Sequence, residues 1–218
     1  MTYEEIKRDE AVKVYIAQAD ASLEALGFTE HSFAHVTKVA QIAGDILEKL
    51  GYPRRTVELA KIAGYLHDIG NVVNRVDHSQ SGAVMAFRIL DKMNFPPEEI
   101  AAIVTAIGNH DEGTGVPVSA LAAALIIGDK SDVRRSRVRK KADIATDIHD
   151  RVNYSVTASA LSVDAEGKSM TLALTVDTTV SSVMEYFEIF MKRMLLCRRA
   201  AEKLGLRFHL SINGQDLV

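Results

Sequence analysis

AKIAGYLHDIGN, residues 60–71, runs apolar for two turns and then sets a histidine and an aspartate side by side before a glycine. The first part reads as a helix whose buried face closes on Leu66. The second part is where a core-facing helix should not carry ionisable side chains. A buried carboxylate without a partner is costly, and a divalent cation would offset that cost. Neighbouring helical side chains diverge by about 100°, so His67 and Asp68 can still share one ion lying between them. The helix is therefore expected from about Pro53, a favoured first-turn residue, to Asp68, with Gly70 ending it.

Working outward, the segments on either side are helical. Thr2 and Glu5 form a capping-box pattern that opens a helix running to Gly27. A second helix starts near Thr29 or Ser32 and stops at Gly51. Ser79–Leu90, Pro96 to His110 and Val118–Lys130 follow, the last rich in alanine. Beyond Lys130 comes a basic connector, VRRSRVRKK (133–141), and then ADIATDIHDRV (142–152), which suits one more helix. NYSVTASALSVD (153–164) and KSMTLALTVD (168–177) then alternate with a period of two and read as a β-hairpin. Tyr154, Val156 and Ala158 are expected on one face of its first strand, and Met170, Leu172, Leu174 and Val176 on one face of its second. Thr179–Leu204 reads as a long helix closed by Gly205, and LRFHLSING (206–214) as a final strand. The fold class expected is mainly α: a helical bundle over residues 1–145, followed by a small β-β-α-β appendage over 146–218. The open edges of a three-stranded sheet invite pairing with a second copy, which predicts a homodimer through the C-terminal sheet.

Composition narrows the chemistry. The chain has 218 residues, 47% hydrophobic and 25% charged, with a net charge of −3. That is ordinary globular material with no field that would by itself draw in nucleic acid or a membrane surface. One cysteine, Cys197, excludes an internal disulfide and a cysteine-based zinc site. No leader-like apolar stretch follows the N-terminus, and VSALAAALIIG (118–128) is far short of the roughly 20 residues that span a bilayer. A cytoplasmic location is expected. The one basic run lacks interleaved aromatics, so nucleic acid is not the expected partner.

Five of the seven histidines, His31, His35, His67, His78 and His110, lie in the helical region, several at helix ends beside acids. Asp129 ends another apolar helix just as Asp68 does. His31 and His35 imitate the i, i+4 pair of a helical zinc site, but a helix starting at Ser32 leaves His31 outside it. His35 is the better ligand. His149 and His209 read as structural or surface residues, Cys197 as core, and Met184, Phe187, Met191, Met194 and Leu195 as a packing stripe at helical spacing.

HVTKVA (35–40), LHDIGN (66–71), HSQSGA (78–83), GNHDE (108–112) and IIGDKSD (126–132) together resemble, in order and spacing, the HD superfamily of metal-dependent phosphohydrolases. The resemblance implies an HD-type bundle in which His35, His67, Asp68 and Asp129 hold a metal ion. His78 and His110 look like the extra ligands of a two-metal subset, similar to bacterial diadenosine-tetraphosphate hydrolases. Asp111, Glu112 and the segment after Asp129 depart from that subset and bear on the substrate. The donor set favours iron, manganese, zinc, cobalt or nickel, as one or two divalent ions. With two ions, Asp68 is the natural bridge and the catalytic carboxylate, and the expected reaction is metal-assisted hydrolysis of a phosphate ester or anhydride. The expected partner is a small phosphorylated substrate, a nucleotide, contacted by Lys130, Asn71 and Arg134, with Arg135, Arg137, Arg139, Lys140 and Lys141 as a basic rim. The alternative is a non-catalytic metal-containing module that senses or docks a ligand.

Overall fold

A computed structural model describes residues 1–139, 144 and 146–217. Lys140 and Lys141 of the expected basic rim lie outside the described residues. The chain is mainly α, with a small sheet near its C-terminus. The helices are α1 (Tyr3–Arg8), α2 (Glu10–Ala25), α3 (Phe33–Lys49), α4 (Arg54–Leu66), α5 (His78–Lys92), α6 (Pro97–Gly108), α7 (Ala120–Lys130), α8 (Ile148–Ser155) and α9 (Val183–Lys203). Short 3-10 turns occupy Ile69–Val72 and Arg135–Arg137. The strands are β1 (Val156–Asp164), β2 (Ser169–Val176), β3 (Arg207–Ile212) and β4 (Gln215–Asp216).

The Thr2–Glu5 capping box is present, but the expected first helix is two. Asp9 turns extended and its carboxylate accepts from Val12 N, so the break is itself an N-cap for α2. Ser32 caps α3, which leaves His31 before the helix as expected. α7 is apolar on all sides up to Gly128 and is buried from Leu121 to Lys130, with α3, α4, α6 and α9 packed around it.

The sheet has order β1-β2-β3-β4. β1 and β2 form the expected antiparallel hairpin, β2 and β3 are parallel with α9 as the crossover, and β4 adds a fourth, two-residue strand that the sequence reading missed. Met170, Leu172, Leu174 and Val176 share the buried face, as the alternation requires. The first strand differs. Tyr154 belongs to α8, and a register shift between Val156 and Ala158 reverses the phase. Ser159, Leu161 and Val163 then become the inward positions, and Ala158 turns outward.

The expected packing stripe on α9 also needs correction. Met184, Met191 and Leu195 are 76%, 45% and 42% exposed. The buried line is Tyr186, Phe190, Met194, Cys197 and Ala201. The apolar face of α9 is wider than α7 and the sheet can cover, so one edge of it stays at the surface. Among the described residues no helix is long and apolar enough to cross a membrane.

Candidate metal centre

The helix containing the opening stretch ends two residues earlier than expected. α4 stops at Leu66, His67 keeps αR geometry as its C-cap, and Asp68 starts the 3-10 turn. Ile62, Ala63, Tyr65, Leu66 and Ile69 are buried and fix this chain end in the core. Gly70 has no left-handed φ and is no C-cap. It is glycine because α5 comes too close: a Cβ there would collide with the His78 carbonyl and the Gly82 amide nitrogen. That contact sets the spacing between Asp68 and His78.

Four histidines converge from four helix ends, each tied down through Nδ1. His67 Nδ1 lies 2.8 Å from Gly64 O, His110 Nδ1 2.6 Å from Ile107 O, and His78 Nδ1 3.0 Å from Arg75 O. His35 Nδ1 lies 2.8 Å from Asp132 Oδ2. With Nδ1–H donating, each ring turns a bare Nε2 inward. His35 Nε2 stands 3.6 Å from Asp68 Oδ2 and 3.4 Å from Asp129 Oδ1. His67 Nε2 stands 3.2 Å from Asp68 Oδ2 and 3.7 Å from Asp129 Oδ1. His78 Nε2 lies 3.2 Å from His110 Nε2 and 3.6 Å from the other Asp68 oxygen, Oδ1. Asp68 thus faces two sets of imidazoles with two different oxygens.

The ring nitrogens His35 Nε2 and His67 Nε2 are buried and make no hydrogen bond. Buried polar atoms are rarely left this way, and here they point at carboxylates without bonding them. Donor atoms of His35, His67 and Asp129 lie within 4.8 Å of one another, as do those of His67, Asp68 and His110. An imidazole and carboxylate set of this kind fits a divalent transition metal ion. The electrostatics agree. Burial opposes charge on Asp68 and Asp129, yet the imidazoles around them, and Lys130 beside Asp129, hold both carboxyls well below their ordinary range. Burial works to depress His67, but Asp68 and Asp129 push it up to about 10, so the two carboxylates favour positive charge at the point where His67 Nε2 faces them. His110 goes the other way, kept well below its usual value by burial first and by His67 and Lys130 after it.

Around these donors lies a layer in which Asp132, Lys38 and Arg193 carry no assignment from sequence. Asp132, fully buried, orients His35 and also meets Lys38 Nζ at 2.8 Å and Arg134 Nε at 2.9 Å. Its spacing from Asp129 in GDKSD was the available signal. Lys130 is buried and salt-bridges Asp129 at 2.7 Å and Glu112 at 3.5 Å. Glu112 in turn accepts from Arg193 Nε of α9 at 2.8 Å. Ser159 of β1 donates to Ser131 O at 2.8 Å, so the C-terminal elements reach the site directly.

A cavity of about 380 Å³ opens onto the centre. Asp68, His78, Asp129 and Lys130 lie in its wall, together with Asp111, His31, Arg75, Arg137 and Arg193. His149 lies there as well, exposed at the surface as expected. His31 is no helical partner of His35, but its ring lies 5.4 Å from that of His35 and faces the cavity. Two expected substrate contacts are placed elsewhere. Asn71 sits behind Asp68, donating to Asp68 O at 2.9 Å and Oδ1 at 3.1 Å. Arg134 is held between Asp132 and Glu30, 3.0 Å from the latter, away from the cavity wall.

The family described as HD domain matches residues 32–152, more than half of the chain. The chain belongs to the HD domain family. The HD-family region takes in all six candidate metal donors and ends within α8. Among curated proteins, Ribonuclease Y of Lawsonia intracellularis is 35% identical over 104 residues, 47% of this chain and 18% of that protein. An uncharacterised protein of Methanocaldococcus jannaschii is 26% identical over 162 residues, 64% of this chain and 62% of that one. The chain thus spans less than two thirds of the length of either relative. A crystal structure described as a predicted HD superfamily hydrolase, from an uncultured Thermotogales bacterium, is 24% identical with a TM-score of 0.47. That match covers 60% of this chain and 73% of the other.

Proposed function

We propose that this HD-family protein is a metal-dependent phosphohydrolase that cleaves a phosphate ester or anhydride, with a nucleotide as substrate. The observation that carries the reading is Asp68, whose two oxygens face separate imidazole sets around buried, unbonded ring nitrogens. His35, His67, Asp68 and Asp129 would hold one divalent ion. Asp68, His78 and His110 would hold a second, as in the two-metal subset of the superfamily. Iron, manganese, zinc, cobalt or nickel bound there supplies Lewis acidity toward the phosphoryl oxygens and a hydroxide nucleophile near neutral pH. The chain's own residues do the rest. Asp68 is the catalytic carboxylate because it fixes both donor sets relative to each other, and Asn71 fixes Asp68. Lys130, kept cationic between Asp129 and Glu112, adds positive charge where negative charge builds on the phosphoryl group. Asp111 Oδ1, on the cavity side 4.0 Å from His78 Nε2, accepts the proton released as water attacks.

We place a boundary near residue 145 between the helical metal-binding domain and the C-terminal α+β segment, which completes the cavity wall. The outer edge of β1 and the exposed apolar edge of α9 support a homodimer through that segment, and sedimentation of the purified protein tests it. The functional test strips the protein with chelator, reloads it with each metal and screens phosphomonoesters, nucleotides and dinucleoside polyphosphates. Asp68→Ala should lose both bound metal and turnover. Full activity in that variant would sink the assignment, and metal binding without release from any substrate would favour a sensing module.

A further inference from the structure

Four strong cations stand in the cavity wall: Arg75, Lys130, Arg137 and Arg193. Three of them are matched by acids. Lys130 meets Asp129 and Glu112, Arg193 meets Glu112, and Arg137 lies 4.0 Å from Asp132 Oδ2. Arg75 differs. Among the described residues no carboxylate pairs with it. Its Nη1 leans 3.4 Å from Asn71 Oδ1 and 3.5 Å from His78 Nε2, and its guanidinium lies over the Phe28 ring, 5.4 Å from the centroid. Amide and aromatic contacts fix the position of this charge without neutralising it.

That placement conflicts with the metal reading unless something negative comes between. A divalent ion on His78 and Asp68 would stand against an uncompensated guanidinium. A phosphoryl group resolves the conflict, because its oxygens can face the metal on one side and the planar N–H fork on the other. The number of oxygens matters. A phosphodiester has two non-bridging oxygens and a single charge, which the metal centre alone can engage. A phosphomonoester or terminal phosphate has three oxygens and close to two charges, leaving oxygens for an arginine. His31, whose Nδ1 is 2.6 Å from Thr29 O, lines the same wall and leaves its Nε2 without a hydrogen bond among the described residues.

We infer that Arg75 is a substrate-binding residue that selects a dianionic phosphoryl group, a phosphomonoester or terminal phosphate, over a diester. The inference rests on the phosphohydrolase reading for its substrate and on the unpaired arginine for its site. Arg75→Met retains the Arg75 carbonyl that holds His78 Nδ1, so the donor set stays intact, and elemental analysis should find wild-type metal content. Calorimetric titration of the metal-loaded protein with inorganic phosphate should show binding weakened about 10- to 100-fold, as loss of a charge-assisted hydrogen bond implies. Turnover of p-nitrophenyl phosphate should fall by a similar factor through KM, that of bis-p-nitrophenyl phosphate far less, and Arg75→Lys should recover part of the loss. Equal losses on both esters, unchanged phosphate affinity, or a wild-type preference for the diester would overturn the role of Arg75 while leaving the hydrolase standing. A wild type that turns over neither ester but binds phosphate through Arg75 would overturn the hydrolase and keep the anion site.

Discussion

Asp132→Asn separates the orienting shell from the metal donors. Asp132 is fully buried and its carboxylate serves His35, Lys38, Arg134 and Arg137 at once. Burial works to neutralise it, but the His35 bond, Arg137 and Lys38 hold the carboxyl well below the ordinary carboxylate range. Asparagine keeps the shape and an acceptor for His35 Nδ1 but removes the charge. Removing one partner of a buried ion pair costs about 3–5 kcal/mol. The partners are not equally exposed to that loss. Lys38 is 35% exposed, and Arg134 keeps Glu30. Only Arg137, 4% exposed, is left with a buried charge, although Glu30 O and Asp132 O still accept from it. The expected loss therefore sits at the low end, about 3 kcal/mol out of the roughly 5–15 kcal/mol typical of a domain. Separately, His35 becomes a poorer donor, and loss of such an outer partner weakens metal binding about 10- to 100-fold. Urea denaturation of the metal-free variant reads the first effect, and competition against a chelating dye reads the second. A variant with wild-type denaturation midpoint and metal affinity within about twofold of wild type would refute the reasoning.

Gly70→Ala forces a methyl into the 3-10 turn's contact with α5 and should cost about 1–3 kcal/mol, with weaker metal retention, measured by thermal unfolding and elemental analysis. Burial pushes the Cys197 thiol up to about 12 against the opposing pull of Lys130 and Arg193, so Ellman's reagent should label no thiol in the native protein and one after unfolding. Glu185, bonded to the Ser182 backbone, Arg151 and Ser181, has its carboxyl lowered to about 2. Being depressed in the folded state, it contributes stability above the ordinary pKa of about 4.5 that is lost as pH falls through about 2. Glu185→Gln should thus lower the melting temperature at pH 7, and the difference from wild type should vanish near pH 2; a difference independent of pH refutes the assignment.

The metal donors could be read from sequence because each combines a rare residue type with a helix end after an apolar run. His67, Asp68 and Asp129 signal themselves in that way, and no packing argument explains them. What surrounds the donors was hidden for identifiable reasons. In MKRMLLCRRA (191–200) Arg193 differs from Arg198 only in which side of α9 meets α7, and that depends on a packing partner more than 60 positions earlier. The phase of β1 was lost to an irregularity that alternation does not encode. The α9 stripe misled because two apolar lines run along one helix and only tertiary contact decides which is covered. Gly70 looks like a helix stop in sequence because a close approach from α5 leaves no local mark. Arg75 went unassigned because an absent salt bridge has no sequence signature.

The crossover position of α9 has a consequence for the order of assembly. All six candidate metal donors lie between His35 and Asp129, on elements that pack mainly on one another. Arg193 takes its place only when α9 packs on α7, a contact between segments far apart in the chain, and α9 is also the crossover of the parallel β2–β3 pair. On a chain that emerges N-terminus first, the donor cluster is complete while the cavity still lacks a wall. The donor cluster can then meet an ion before that wall is in place, through an opening wider than the cavity the finished protein keeps.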